Sequence, residues 1–263
     1  MKIVRHIPHP ALRHFIEAFV VVDVEENEIV KDFYPTNAAL MCFDITQQHY
    51  RFGDATFNFS DASDTVSFCF VGVLDRYFPV ERVPRTILQV IFSPFGAYHF
   101  FKTKMSSFTN TGLNAEFIHS GIKDTIARME DVHGDKVACI RLLEVYFLQI
   151  LQRSETVSVS AGKIHFACNE MIKQAGNIRI KELCSKINMS ENRLRVHFNE
   201  MIGISPKTFC RSEKLKQINE ILVNDQEVDW MELCHTYNFF DQSHFIKGFK
   251  AYFGCTPGEF LKK

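Results

Sequence analysis

The sequence predicts an α+β protein. A small antiparallel β-barrel or sandwich with helices comes first, followed by an all-α domain of two helix-turn-helix units joined by a long linker helix. Three observations carry this expectation. Short runs rich in Val, Ile, Phe and Tyr, punctuated by Asn, Asp, Gly and Pro, fill residues 20–92. Helical apolar spacing takes over from about residue 120. Finally, part of the helical region occurs twice: Phe198-Asn-Glu-Met-Ile-Gly203-Ile-Ser205-Pro206 returns as Phe249-Lys-Ala-Tyr-Phe-Gly254-Cys-Thr256-Pro257, 51 residues later. Upstream, Glu182-Leu183-Cys184 with Asn188 matches Glu232-Leu233-Cys234 with Asn238 at an offset of 50. One residue added in the second turn reconciles the two offsets.

Taken in order, His9 to Phe19 has helical spacing at Leu12, Phe15, Ile16 and Phe19. Strands are expected at Ala39–Ile45, Thr56–Ser60, Val66–Val71 and Thr86–Phe92. Residues 120–153 read as two helices, the first marked by Ile122, Ile126 and Met129 and the second running from Asp135 to Arg153. The second is apolar almost all round and so needs two partners. One is its own barrel; the other is either the rest of the same chain or a second subunit. Residues 154–162, small and polar, suit a linker. The expected organisation is a β-rich sensor or effector domain over 1–118 and a helical segment over 119–155, a candidate for dimerisation. A linker with a first helix follows over 156–177, then the tandem unit over 178–263.

The caps of the helical half can be read directly. Ser190 and Asp241 suit N-caps, and Ser205-Pro206 and Thr256-Pro257 each supply an N-cap followed by proline at the first helical position. Gly203 and Gly254 end the preceding helices. Asn188 and Asn238 sit in the tight turns, where asparagine tolerates positive φ. Phe209 to Val223 reads as one long helix holding the two units apart.

With 263 residues, the chain can bury two cores. Its 46% hydrophobic and 23% charged content argues against disorder. The eight cysteines show no CxxC pair or metal-ligand spacing, and read as small buried residues in a reducing compartment. Met1 to His6 lacks the apolar core of a secretory signal, and the most apolar stretches are too short to span a bilayer, so a cytoplasmic location is expected. Residues 1–159 carry a net charge of −4 and residues 160–263 carry +3, so the basic half is the half with the repeat.

In the second helix of unit one, Leu194, Phe198, Met201 and Ile202 share a core face, leaving Asn192, Arg193, Arg195, Val196 and Asn199 outward. In unit two, Phe245, Phe249, Tyr252 and Phe253 are core, leaving Gln242, Ser243, His244, Ile246, Lys247 and Lys250 outward. Each helix thus offers a cation and an aliphatic side by side, Arg195-Val196 against Ile246-Lys247. In a major groove an aliphatic contacts the thymine methyl, Arg or Lys reads guanine, and Asn or Gln reads adenine. Exposed helix charges usually only meet water, but two units with matching caps and a rigid spacer suit entry into successive major grooves. Arg193, Lys207, His244 and Lys250 are the candidate phosphate contacts, fixing register without reading sequence.

Residues 178–263 resemble the DNA-binding domain of AraC-type transcriptional regulators. The resemblance rests on Leu183, Ser190, Leu194, Phe198, Gly203, Ser205-Pro206, Lys214-Leu215, Leu222, Leu233, Phe239, Asp241, Ser243, Phe245, Phe249-Lys250, Gly254 and Thr256-Pro257. Departures are Cys184 and Cys234 for the usual alanine, Asn188 and Asn238 for the usual glycine, and Lys214 for an arginine. The resemblance implies that Asn192, Arg195, Val196, Gln242, Ser243 and Lys247 read bases. The N-terminal half more loosely resembles the sensor domains of these regulators, through Pro10-Ala-Leu12, Phe33-Tyr-Pro35-Thr-Asn-Ala-Ala-Leu40, Val71-Gly72, Phe92-Ser-Pro94-Phe-Gly96-Ala97 and Thr109-Asn110.

The implied partners are double-stranded DNA, with a small-molecule effector, RNA polymerase and a second copy of the chain as further candidates. Activation and repression both fit. Neither a cofactor nor a metal is expected: His6, His9 and His49 lack the downstream ligands of a metal site. Hydrolase, NTPase and dinucleotide patterns are missing, so an enzyme is not expected. The competing reading is a small-molecule or protein-binding module whose tandem helical domain does not bind DNA.

Overall fold

The computed structural model describes residues 2–24, 32–45, 58–59, 68–79, 86–132, 134–153, 158–224, 229–239 and 241–260. The strands are β1 (Lys2–His6), β2 (Ile16–Asp23), β3 (Asp32–Phe33), β4 (Leu40–Asp44), β5 (Asn58–Phe59), β6 (Phe68–Val71), β7 (Phe78–Pro79) and β8 (Thr86–Phe92). Helix α1 (Gly96–Phe101) precedes the last strand, β9 (Thr111–Asn114). The chain is then helical: α2 (Ala115–Ile118), α3 (Lys123–Asp131), α4 (Lys136–Arg153), α5 (Val159–Lys173), α6 (Ile180–Lys186), α7 (Glu191–Met201), α8 (Pro206–Asn224), α9 (Trp230–Thr236), α10 (Gln242–Phe253) and α11 (Pro257–Phe260). The protein is α+β, as expected.

Seven strands form one sheet in the order β1-β2-β8-β4-β6-β9-β5, and β3 pairs with β7 in a separate ribbon. Pairing is antiparallel except for β5 against β9. Three expected strands appear as β4, β6 and β8; of Thr56–Ser60 only β5 lies within the described residues, and Val66 lies outside them. Central β4 is buried at all five positions. Its Met41 and Phe43 face one core while Leu40 and Cys42 face another, so the run reads as continuously apolar.

The helix expected from His9 to Phe19 does not form. Pro10–Leu12 makes a single 3-10 turn, and from Ile16 the chain is strand, hydrogen-bonded between β1 and β8. Apolar residues on both faces of this inner strand imitate helical spacing, whereas the β-branched run Val20-Val21-Val22 favours the pleat.

One sheet face, with Phe19, Phe43, Phe70 and Phe92, packs against α1, α3 and α4, where Phe147 is fully buried. Phenylalanine therefore fills the sheet–helix interface. Helix α4 buries Cys139, Ile140, Leu143, Tyr146 and Phe147 but leaves Val137 and Val145 nearly half exposed. The expected 154–162 linker is shorter: Ser158 caps α5 by accepting from the Ala161 amide, and 154–157 lie outside the described residues. All eight cysteines are free, seven buried and Cys234 half-buried.

Two further cores occupy the helical half. The first joins α5, α6, α7 and the start of α8 through Ile164, Leu183, Leu194, Phe198 and Phe209, and takes in Val73 and Phe95 from the sheet-bearing half. The second joins the rest of α8 to α9 and α10 through Leu215, Ile218, Leu233, Phe245 and Phe249. The two units are therefore separately cored and share one helix.

Candidate nucleic-acid interface

The turns of the two units repeat the same backbone hydrogen bonds. In the first, the Asn188 amide donates to Ser185 and the Met189 amide to Cys184; in the second, Asn238 donates to His235 and Phe239 to Cys234. Asn188 and Asn238 adopt φ of 47° and 50°, as their positions in the turns require. Ser190 Oγ accepts from the Arg193 amide at 3.3 Å, and Asp241 Oδ1 from the His244 amide at 2.7 Å. One residue separates Asn188 from Ser190 and two separate Asn238 from Asp241, which locates the extra residue inferred from the offsets. Gly203 and Gly254 close the helices at φ of 104° and 75°.

Leu194, Phe198, Met201 and Ile202 are buried in unit one, as are Phe245, Phe249, Tyr252 and Phe253 in unit two. With those faces fixed, Asn192, Arg193, Arg195, Gln242, Ser243, His244, Lys247 and Lys250 all fall on exposed surface, and Lys207 is exposed at the start of α8. Val196 is 52% exposed. Arg195 Nη2 donates to Asn192 Oδ1 at 3.0 Å, so two of these polar side chains are held together.

The symmetry fails at Ile246. Expected outward, it is half-buried and packs on the core of unit two, whose aromatic residues present a broader apolar surface than unit one. Only unit one therefore exposes a cation and an aliphatic together, and Lys247 stands without an aliphatic neighbour of that kind.

The sequence reading missed the residues that dock the sheet-bearing half onto both units. Asn37 Nδ2 donates to the Phe209 carbonyl at 3.1 Å and to Glu213 Oε1 at 2.7 Å, gripping α8. Thr109 Oγ1 donates to the Gly203 carbonyl at 2.6 Å, at the end of α7. The Tyr77 amide donates to the Ala251 carbonyl at 2.7 Å, and Tyr34 stacks on Tyr252 with ring centroids 6.2 Å apart. Tyr34, Asn37 and Thr109 all lie in stretches that resembled the sensor half, but no periodicity ties them to helices more than 90 residues away. Cys210, at the base of this contact, has its thiol pushed up to about 11 by burial.

Among the described residues no group of three His, Cys, Asp or Glu side chains could hold a metal, and no helix is long and apolar enough to cross a membrane.

Comparison with known proteins gives two family matches: residues 183–263 match a family described as a helix-turn-helix domain, and residues 4–114 match a domain of unknown function, DUF6597. The Msm operon regulatory protein of Streptococcus mutans is 26% identical over 87 residues, 33% of this chain and 31% of that protein. The aligned part thus spans about a third of the relative's length. Among solved structures, ToxT of Vibrio cholerae with a bound unsaturated fatty acid has a TM-score of 0.45 at 12% identity, covering 92% of this chain and 93% of that one. A second ToxT structure, from strain O395, has a TM-score of 0.42 at 11% identity, covering 92% and 95%. The C-terminal third of the chain, with its duplicated helix-turn-helix, is thus similar to a helix-turn-helix domain family and, over that stretch, to a regulatory protein.

Proposed function

We propose that the protein is a sequence-specific DNA-binding transcription regulator that reads two successive major grooves with α7 and α10. The observation that carries this reading is the pair of identically capped helices whose buried faces match and whose exposed faces differ. Identical readers would recognise one sequence twice; different readers specify a bipartite site. Asn192, Arg195 and Val196 read bases from α7, and Gln242, Ser243 and Lys247 read them from α10. Arg193, Lys207, His244 and Lys250 contact phosphates. The sheet-bearing half is the sensor, with a small-molecule effector, a second copy of the chain and RNA polymerase as its further partners. The protein acts in the cytoplasm, without catalysis.

Selection of bound sites from a random DNA pool tests this directly. The expected product is a motif with two unlike half-sites about one helical turn apart. Binding without sequence preference at moderate salt refutes it. Arg195→Ala is expected to lose about 1–3 kcal/mol and relax preference at one position, while Lys250→Ala weakens all sequences alike. Equal losses for both on random DNA contradict the assigned roles.

A further inference from the structure

Between the two helix-turn-helix units lies a cavity of about 420 Å³ that none of the six candidate base-reading residues lines. Its apolar wall is Ile178, Ile180 and Phe239, and its polar wall is Lys207, Arg211, Lys214 and His244. The linker helix α8 supplies three of these cations at positions 207, 211 and 214, a spacing of four and three that stacks them along one helical face. Among the described residues none of the three has a carboxylate within salt-bridge distance. Glu213, the acidic neighbour on α8, is buried on the other side and accepts from Asn37.

Lys214 is the most constrained of the three. Its ammonium lies 5.7 Å from the centre of the Phe239 ring, and its stem packs on the backbone at Gly176. Gly176 has φ of 74°, and a Cβ there would lie 2.1 Å from the Cys210 carbonyl oxygen. Only glycine lets the chain approach α8 this closely and wall the cavity. Burial pulls the Lys214 pKa below the usual lysine value. A half-buried cation with an aromatic ring as its only described partner, beside two further unpaired cations, is incomplete without an anion.

We propose that this inter-unit cavity is a phosphate-binding site in which Arg211 and Lys214 are the primary ligands and Lys207 and His244 form the mouth. Arginine supplies the planar two-point grip and Lys214 a fixed point charge. The phosphate has two sources, the DNA backbone between the two grooves or a free phosphorylated small molecule. The backbone source rests on the two-groove reading above, since Lys207 and His244 already belong to its phosphate set; the free source does not.

The test uses the full chain and the variants Arg211→Gln and Lys214→Gln, each checked for an unchanged thermal transition. If either fails to fold, Lys214→Met, which keeps the stem, replaces it. DNA binding is followed from 50 to 200 mM salt on the selected site and on random sequence, and binding of inorganic phosphate and of a nucleoside monophosphate is measured calorimetrically. For a backbone phosphate, each folded variant weakens every sequence 3- to 10-fold and lowers the salt slope by about one counterion. For a free phosphate, wild type binds the small probes and the variants do not, whether or not it binds DNA. Wild type that binds DNA with variants of unchanged affinity and slope, and no binding of either probe, overturns the phosphate site while leaving the two-groove reading intact. Wild type that binds neither DNA nor probe overturns both.

Discussion

Lowering the pH from 7.5 to 5 is expected to destabilise the protein through His99. The ring is 2% exposed and stacks on Phe15 at 3.8 Å, and neither ring nitrogen has a hydrogen-bond partner among the described residues. Burial, aided by the charge of Lys102, lowers its pKa from 6.5 to about 4. The folded state therefore takes up a proton less readily than the unfolded chain. Stability is complete above the unfolded value, falls as pH drops from 6.5 toward 4, and levels off below that. With those two values, linkage gives a loss of roughly 2 kcal/mol between pH 7.5 and 5. Urea unfolding at several pH values reads this directly, with His99→Phe as the comparison, since a phenyl ring can stack on Phe15 without titrating. His119 and His165 are also lowered by burial, so the diagnostic quantity is the difference between the two curves. His99→Phe should remove about 2 kcal/mol of the acid loss. A variant that keeps the full wild-type pH dependence refutes the argument. Phe95 contacts both His99 and His165 of α5, so the affected region is the seam between the two halves.

Thr109→Val keeps the side-chain volume but removes the hydroxyl that donates to Gly203; a loss of about 1 kcal/mol is expected in equilibrium unfolding. Asp241→Ala removes the cap of α10 and should lose about 1 kcal/mol of stability, with no change in stability contradicting the capping geometry. In the native state a thiol reagent is expected to reach Cys234 first, because the other seven thiols are buried; simultaneous reaction of several would mean local opening.

The caps and turns of the two units were legible because each is a local event. Ser190 and Asp241 satisfy amides three residues on, and Asn188, Asn238, Gly203 and Gly254 supply backbone conformations their own chemistry permits. Strands β4, β6 and β8 were legible as bounded β-branched and aromatic runs. Residues 9–19 were misread because spacing alone cannot separate a helix face from a strand buried on both sides. Ile246 was misread because its burial is set by how wide an aromatic core its unit builds, not by its own position on α10.

The sequence by itself determined the duplication, its core faces and the exposed residues offered as readers, since these follow from short-range hydrogen bonding and the 3.6-residue period. Only the tertiary structure decided how the halves dock, through Tyr34, Asn37, Tyr77 and Thr109, and where Lys207, Arg211 and Lys214 meet the second unit. These contacts join residues dozens to more than 200 positions apart, and nothing periodic in a chain records which distant surface will close over it.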